Sequence, residues 1–154
     1  MNIIYEGIFF DNKNTNTIKS LDFKKYNNKV SNPHITFKIN PNINEIYNNL
    51  ENKEYAIKII GYGFDNNNFG LEVQLPDELL EYYDNKDKNN NIIVPHITTS
   101  YTDNSNTKNT KNLQFRKLEK PITIKGKFKY YIKDNNKNHL VDTISNYEKK
   151  SLEK

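Results

Sequence analysis

Apolar and polar residues alternate with a period of two in several stretches of the chain, the pattern of β-strands whose successive side chains point to opposite faces. The clearest example begins directly after Pro33, a residue that opens a strand more readily than it continues one. Its two faces consist of the apolar Ile35, Phe37 and Ile39 and the polar His34, Thr36 and Lys38. We therefore expect one face to pack on a core and the other to present an imidazole and a hydroxyl.

Further apolar runs predict the remaining strands of a sheet. They are Ile3 to Phe10, Tyr55 to Phe64, Phe69 to Leu75, the stretch from His96 to Tyr101, and Ile122 to Lys133 as a final strand. The polar turn Asp65-Asn66-Asn67-Asn68 joins the second and third of these into a β-hairpin. Gly61 and Gly63 within the hairpin indicate a bulge or a close approach of two backbones.

Three segments show the three- and four-residue spacing of amphipathic helices. They are Thr17 to Tyr26, Asn44 to Leu50, and Glu78 to Tyr83, the last preceded by Pro76 and Asp77 as at a helix start. Asp11 to Asn16 is predicted as a loop, and Thr102 to Asn112 as an exposed, mobile loop. This order of strands and helices predicts an α+β fold.

The chain has 154 residues, enough for one domain with a real core, which we place at residues 1–145 before a polar tail at 146–154. Cysteine is absent, so disulfides, thiolate metal sites and a cysteine nucleophile are excluded. No apolar run approaches the length of a membrane span, and the first ten residues lack the pattern of a signal peptide. We therefore expect a cytoplasmic monomer. Its formal charge of +4 permits a polyanionic partner without requiring one.

A tetrapeptide that occurs twice provides the functional signal. Pro33-His34-Ile35-Thr36 returns as Pro95-His96-Ile97-Thr98, so two of the three histidines share one local context. A single histidine at the start of a strand is ordinarily structural or exposed, but packing alone does not explain this repetition. Alternation places each histidine on the same strand face as the threonine two residues later. Two such strands can face each other across one groove.

Two imidazoles and two hydroxyls suit the cleavage of a phosphodiester. The reaction needs a base for the attacking oxygen and an acid for the leaving oxygen, on opposite sides of phosphorus, and histidine serves as either near neutrality. Threonine hydroxyls donate to the nonbridging oxygens. A metal site is the competing interpretation, but no HxH or HxxxH pair is present, and Asp65 and Asp103 are distant in sequence from both motifs. We expect neither metal nor cofactor, and treat His139 as a surface residue.

The two motifs, His34-Ile35-Thr36-Phe37 and His96-Ile97-Thr98-Thr99, resemble the H-x-[T/S]-x signatures of the two-histidine (2H) phosphoesterase superfamily. Within it, the chain looks most like the small modules related to the tail domain of eukaryotic and viral RNA-repair ligases. Phage and viral enzymes that degrade cyclic-nucleotide immune signals belong to the same superfamily. The resemblance implies two pseudo-symmetric β-sheet lobes with flanking helices around a central cleft. It also implies that His34 and His96 are catalytic and that Thr36 and Thr98 bind the substrate phosphate.

The expected activity is a metal-independent phosphodiesterase. Its substrates would be RNA ends with a 2′,3′-cyclic phosphate, 2′-5′- or 3′-5′-linked oligonucleotides, or cyclic nucleotide signals. Tyrosine side chains stack on bases, and the candidates are Tyr5, Tyr62, Tyr101 and Tyr131. Lys38 shares a face with the first motif and is a candidate phosphate contact. The alternatives are a noncatalytic module that binds a nucleotide or RNA end in the same cleft, and a structural module without a ligand.

Overall fold

The strand predicted near the start of the chain is present as β1 (Asn2–Phe10) in the computed structural model, which describes residues 2–42 and 48–144. The other strands are β2 (Asn28–Lys29), β3 (His34–Ile39), β4 (Glu54–Phe64), β5 (Asn68–Gln74), β6 (His96–Tyr101), β7 (Arg116–Asp134) and β8 (Lys137–Val141). The helical elements are α1 (Asn12–Ser20), α2 (Asp77–Leu80) and the 3-10 segments Asn48–Leu50 and Thr107–Asn112.

The strands form one sheet in the order β2-β6-β5-β4-β7-β1-β3, with β8 paired to β7. All pairs among the described strands are antiparallel, so the predicted α+β class is confirmed. The two strands that carry the histidine motifs, β3 and β6, are separated by four strands in this order, yet they contact each other. The sheet is therefore curled into a half-barrel.

One face of the sheet carries the hydrophobic core. From the first histidine strand it buries Ile35 and Phe37, whereas Ile39, predicted on the same apolar face, is 66% exposed because it is the last residue of β3. The chief partners on neighbouring strands and on the covering segments are Ile8, Ile57, Leu71, Ile97, Phe128, Ile18, Leu50 and Leu79. Each such buried side chain stabilises the fold by about 1.5–3 kcal/mol.

Glycines lie at three of the places where the register of the sheet shifts. Shifts occur between Glu6 and Gly7 in the β1–β3 pair, and between Phe69 and Gly70 in the β5–β6 pair. A Cβ atom at Gly7 would collide with the carbonyl oxygen of Ile35, one strand away. A bulge increases local twist, and glycine lets two backbones approach closely. These positions therefore contribute to the curvature that brings β3 and β6 together.

The bulge or close approach predicted at Gly61 and Gly63 is also confirmed. The register of β4 shifts between Ile59 and Gly61 against both neighbouring strands. A Cβ atom at Gly61 would lie 2.7 Å from the carbonyl oxygen of Arg116, and one at Gly63 would lie 2.8 Å from that of Gln114. The sheet thus tolerates no side chain at either position without a backbone shift.

The segment after β1 is helical where a loop was predicted. Helix α1 begins at Asn12 because the Asp11 carboxylate accepts a hydrogen bond from the Asn14 amide at 2.9 Å, which is an N-cap. The predicted helix from Thr17 to Tyr26 is therefore wrong in its bounds, since α1 ends at Ser20. Asp11 is the sequence signal that would have located this helix.

Asp22, just beyond α1, ties this region to the second histidine strand. Its buried carboxylate accepts hydrogen bonds from the hydroxyls of Thr99 (2.7 Å) and Ser100 (2.6 Å), both in β6. It also accepts the backbone N–H groups of Lys24 (2.9 Å) and Lys25 (2.8 Å). A buried carboxylate needs such donors, and here they fix the loop after α1 against β6.

The other helix predictions are only partly visible. Of the helix predicted from Asn44 to Leu50, the described part is the 3-10 segment Asn48–Leu50, and residues 43–47 lie outside the described residues. The predicted tail at 146–154 also lies outside them. The helix predicted from Glu78 to Tyr83 is present as the shorter α2. None of the helices in 2–42 and 48–144 is long and apolar enough to span a membrane.

Two predictions in the last third of the chain are wrong. Thr102 to Asn112 is not a mobile loop throughout, because it contains the 3-10 segment Thr107–Asn112, in which Thr110 is fully buried. The strand predicted from residue 122 begins at Arg116 and is followed by β8. The turn between them holds Asn135 and Asn136, both with positive φ (50° and 66°), a conformation that asparagine adopts more readily than most residues.

We predict that Asp22→Ala lowers the free energy of unfolding by about 3 kcal/mol, because two buried hydroxyls and two amides lose a charged acceptor. Urea denaturation measures this change. The matched control is Glu119→Ala, which removes an exposed carboxylate of β7 and should change the stability by less than about 0.5 kcal/mol. Equal stability of the two variants would refute the role assigned to Asp22.

Candidate active site

Each motif histidine is the first residue of its strand and makes the same backbone hydrogen bond. Nδ1 of His34 lies 2.9 Å from the carbonyl oxygen of Asn32, and Nδ1 of His96 lies 2.8 Å from that of Val94. A carbonyl oxygen only accepts, so Nδ1 carries the proton in both rings. The neutral tautomer then leaves Nε2 unprotonated and able to take a proton.

The curled sheet brings the two imidazoles within electrostatic range of each other. Burial lowers the pKa of His34, the hydrogen bond to Asn32 raises it in part, and a positive charge on His96 lowers it further. Burial also lowers the pKa of His96, opposed by the hydrogen bond to Val94. The two rings therefore form a coupled pair in which one proton disfavours the second.

The motif threonines also occupy equivalent places. Thr36 is paired across the strands with Gly7, and Thr98 with Gly70, so each threonine faces a residue without a side chain. Both pairs lie at a shift in register. A Cβ atom at Gly7 would collide with the carbonyl oxygen of Ile35, and one at Gly70 with the methyl group of Thr110, so neither position admits a side chain beside its threonine.

The two hydroxyls differ in their partners. Thr98 Oγ1 lies 2.8 Å from Thr110 Oγ1 and 3.4 Å from the carbonyl oxygen of Thr107, both in the 3-10 segment. For Thr36, residues 2–42 and 48–144 provide no hydrogen-bond partner to the hydroxyl. Among the described residues, the hydroxyl of the second motif is thus hydrogen-bonded to the 3-10 segment, whereas the hydroxyl of the first motif has no equivalent partner.

An aromatic cluster surrounds His34. The Tyr5 and Phe9 rings stack on the imidazole with centroids 4.9 and 4.8 Å away and interplanar angles of 13° and 20°. Tyr131 stacks in turn on Tyr5 at 5.2 Å. These rings cover part of the half-buried imidazole and remove water from it, so burial is the main cause of its lowered pKa. Tyr5 and Tyr131 were candidates from the sequence, but Phe9, which is paired with His34 across β1 and β3, was not.

His96 has a more polar neighbourhood. It is paired across β5 and β6 with Glu72, whose carboxylate lies 2.9 Å from the ammonium group of Lys117. The Lys117 side chain is 68% exposed, so this ion pair contributes less than about 1 kcal/mol to stability. Neither Glu72 nor Lys117 was singled out from the sequence, because charged strand residues are common and only pairing places them beside the motif.

Two of the predicted contacts lie elsewhere. The ammonium group of Lys38 sits 3.9 Å from the centroid of the Tyr82 ring, so its charge is engaged in a cation–π contact at the edge strand. Tyr62 packs edge-on against Phe23 at 5.8 Å and parallel to Phe64 at 6.5 Å. The structure groups neither side chain with the two histidines.

Tyr101, by contrast, lies on the same face of β6 as His96 and Thr98, because β6 contains a bulge. Thr99 and Ser100 both point to Asp22, and one of them is the extra residue at the shift in register between Phe69 and Gly70. Alternation after the bulge then places Tyr101 on the face of Thr98. The pattern of apolar and polar residues does not indicate this bulge.

The remaining candidates concern metals and the third histidine. Within residues 2–42 and 48–144, no three His, Cys, Asp or Glu side chains are grouped as ligands of one metal ion. His139, predicted as a surface residue, is an exposed residue of β8 paired with Ile132. The candidate site of the described chain is therefore made of two histidines, two threonines and the rings beside His34.

Comparison of the chain with models of protein families finds no matching family, and comparison with curated proteins finds no matching relative. The chemistry proposed for the site therefore depends on its own residues.

Proposed function

We propose that this chain is a two-histidine phosphodiesterase that cleaves its substrate by general acid–base catalysis. The observation that carries the proposal is the repeated arrangement of His34 and His96. Each imidazole is anchored through Nδ1 to a backbone carbonyl, each leaves Nε2 unprotonated, and each precedes a threonine on the same strand face. The two strands contact each other.

The proposed reaction uses the two imidazoles in opposite protonation states. Nε2 of the neutral ring takes a proton from water as the water oxygen bonds to phosphorus, and Nε2–H of the charged ring protonates the oxygen that leaves. One P–O bond forms and one breaks. The rings have then exchanged protonation states, and solvent restores them. Thr36 and Thr98 donate to the nonbridging oxygens, where negative charge develops in the transition state.

The strand order supports two pseudo-symmetric halves. Counted outward from the centre of the sheet, one half runs β4-β5-β6 and the other β7-β1-β3, so each histidine strand is the third strand of its half. In each half the middle strand contributes the glycine that faces the motif threonine, Gly70 or Gly7. We propose that these halves are the two lobes of a 2H phosphoesterase fold with the cleft between them.

The surroundings of the two histidines favour a nucleotide substrate. Flat rings beside His34 suit a base, and stacking stabilises a bound base by about 1–3 kcal/mol. The proposed substrates are RNA ends with a 2′,3′-cyclic phosphate, short oligonucleotides, and cyclic nucleotides. In each, the scissile phosphate lies between His34 and His96 and one base lies against Tyr5 and Tyr131. A cytoplasmic location and a monomeric state stay predictions.

We predict that His34→Gln and His96→Gln each lower kcat/KM by at least about 100-fold, because each removes a proton-transfer group. Cleavage of 2′,3′-cyclic mononucleotides by purified variants measures the effect. His139→Gln, in the exposed β8, is the matched control and should retain wild-type activity. Residual activity within tenfold of wild type in either motif variant would contradict the assignment of His34 and His96 as acid and base. Wild-type protein that binds nucleotides and leaves them intact would point to the noncatalytic binding module.

The pH profile of kcat/KM should be bell-shaped, with its optimum below about pH 6.5, which is the ordinary pKa of histidine. Activity needs one neutral and one protonated imidazole, and burial lowers the pKa of both His34 and His96. A lowered pKa means that the imidazolium loses its proton at lower pH, so both limbs of the bell move to the acid side. In the pH profile of kcat both limbs should lie at higher pH than in the profile of kcat/KM, because a bound phosphate stabilises the imidazolium and so raises the pKa of each histidine. A kcat/KM optimum above about pH 7 would contradict the lowered pKa values of His34 and His96.

Tyr5→Leu should raise KM for a 2′,3′-cyclic nucleotide by roughly 5- to 150-fold, the range that loss of one stacking contact gives. The same variant should barely change KM for ribose 2′,3′-cyclic phosphate, which has no base. Tyr62→Leu, in the separate cluster with Phe23 and Phe64, is the matched control and should leave both values near wild type. Equal effects of Tyr5→Leu on both substrates would show that the ring supports His34 rather than a base.

A further inference from the structure

A cavity of about 250 Å³ lies beside Phe9, whose ring stacks on His34, and three lysines of β7 line it. They are Lys125, Lys127 and Lys129. The acid–base reaction proposed above uses none of these side chains. The cavity is several times larger than the ~30 Å³ that one water molecule occupies in the liquid, so it has room for an anionic group.

Strand pairing places Lys127 on the same face of the sheet as His34. Phe9 in β1 is paired with His34 in β3 and, on its other side, with Lys127 in β7. Directly paired residues of antiparallel strands have their side chains on the same face. Adjacent strands lie about 4.8 Å apart, so the backbones at Lys127 and His34 are about 10 Å apart. The flexible four-carbon stem of lysine lets its ammonium group approach a ligand bound at His34.

Lys129 occupies the equivalent place in the row of Thr36. Gly7 in β1 is paired with Thr36 on one side and with Lys129 on the other. The alternation of β7 supports the same face for Lys129, because its two chain neighbours are buried in the core. Two residues further on, Tyr131 stacks on Tyr5, which in turn stacks on the imidazole of the first motif.

The ion pairs around the cavity leave Lys127 available to a ligand. The ammonium group of Lys125 lies 3.8 Å from the Glu54 carboxylate, and that of Lys129 lies 3.3 Å from the Asp142 carboxylate. Both carboxylates are more than half exposed, so these pairs are weak and a phosphate can replace them. In the described parts of the chain, Lys127 forms no ion pair.

Asp11 is the second acidic residue that lines the cavity, besides Glu54. Its carboxylate accepts hydrogen bonds from the backbone N–H of Asn14 at 2.9 Å and from the side-chain amide of Asn14 at 2.8 Å. The carboxylate is therefore engaged in capping α1. Three ammonium groups thus line the cavity with two carboxylates, each of which already has a partner.

We propose that Lys127 and Lys129 bind a second phosphate of the substrate, so that the preferred substrates carry at least two phosphates; this inference rests on the proposed function. Lysine binds phosphate as a point charge. In the proposed complex the scissile phosphate lies between His34 and His96. A cyclic mononucleotide has no other anionic group to place in the cavity, whereas a dinucleotide has one.

The kinetic test compares adenosine 2′,3′-cyclic phosphate with a diadenosine nucleotide that ends in the same cyclic phosphate. For wild type, kcat/KM should be about tenfold higher for the dinucleotide, because two further ion pairs form. In Lys127→Gln/Lys129→Gln this ratio should fall to near one. An unchanged ratio in the double variant would overturn the inference.

The matched control is Lys19→Gln/Lys25→Gln, which removes the same charge from two exposed lysines in α1 and in the loop after it. Helix α1 buries Ile18 in the core, so it packs on the face of the sheet opposite to the histidines. The control should keep the wild-type ratio. An equal fall in both double variants would also overturn the inference, because it would reflect net charge alone.

A cyclic dinucleotide carries the same two phosphates as an RNA end, so it is added to the comparison. A loss of kcat/KM in Lys127→Gln/Lys129→Gln confined to the linear dinucleotide would support the inference and assign the cavity to the upstream phosphate of an RNA strand. A loss confined to the cyclic dinucleotide would support it and assign the cavity to a cyclic signal. No loss with either substrate would reject the second phosphate site.

A binding measurement without turnover separates this inference from the proposed function. Adenosine 3′-monophosphate and adenosine 3′,5′-bisphosphate are titrated into each protein in a calorimeter. Wild type and the control should bind the bisphosphate about tenfold more tightly, and Lys127→Gln/Lys129→Gln should bind both alike. Equal affinities in wild type would reject the second phosphate site even if the enzyme is active. A wild type that prefers the bisphosphate but cleaves no phosphodiester would reject the proposed function and support the site.

Discussion

The curvature of the sheet is the constraint on which the rest of the structure depends. Four strands separate the histidine strands β3 and β6 in the sheet, and the two contact each other only because the sheet between them curls. That curl coincides with shifts in register at Gly7, Gly61 and Gly70, where neighbouring backbones come too close for a side chain. Backbone geometry at glycines thus contributes to bringing the two histidine strands together.

The two halves use the same backbone devices but surround them differently. Each histidine is held by a carbonyl two residues upstream, and each threonine faces a glycine. Around His34 the neighbours are aromatic rings, whereas His96 lies beside the Glu72–Lys117 ion pair. Under the proposed function, the shared features would hold the phosphate, and the differing surroundings would orient the nucleotide with its base on the side of His34.

Much of this could be read from the chain, and the reasons for the failures are physical. The strands and the shared face of His34 and Thr36 follow from the period of two, which depends on local geometry alone. Thr110 could not be found this way, because a buried threonine in a short polar 3-10 segment has no periodic signature. The position of Lys38 over Tyr82 depends on tertiary contacts of a long side chain. Asp11, by contrast, is an N-cap residue that could have located the start of α1, but the apolar spacing after Thr17 placed the predicted helix too late in the chain.

The most direct test of the central claim is product analysis in the presence of EDTA. Purified protein is incubated with a panel of 2′,3′-cyclic mononucleotides, 2′-5′ and 3′-5′ oligonucleotides and cyclic dinucleotides. If two imidazoles carry out the proton transfers, at least one phosphodiester is cleaved at an undiminished rate under chelation, and the preferred member of the panel identifies the substrate class. Loss of all cleavage on chelation, or an intact panel with the protein folded, would show that the histidine pair is not the catalyst.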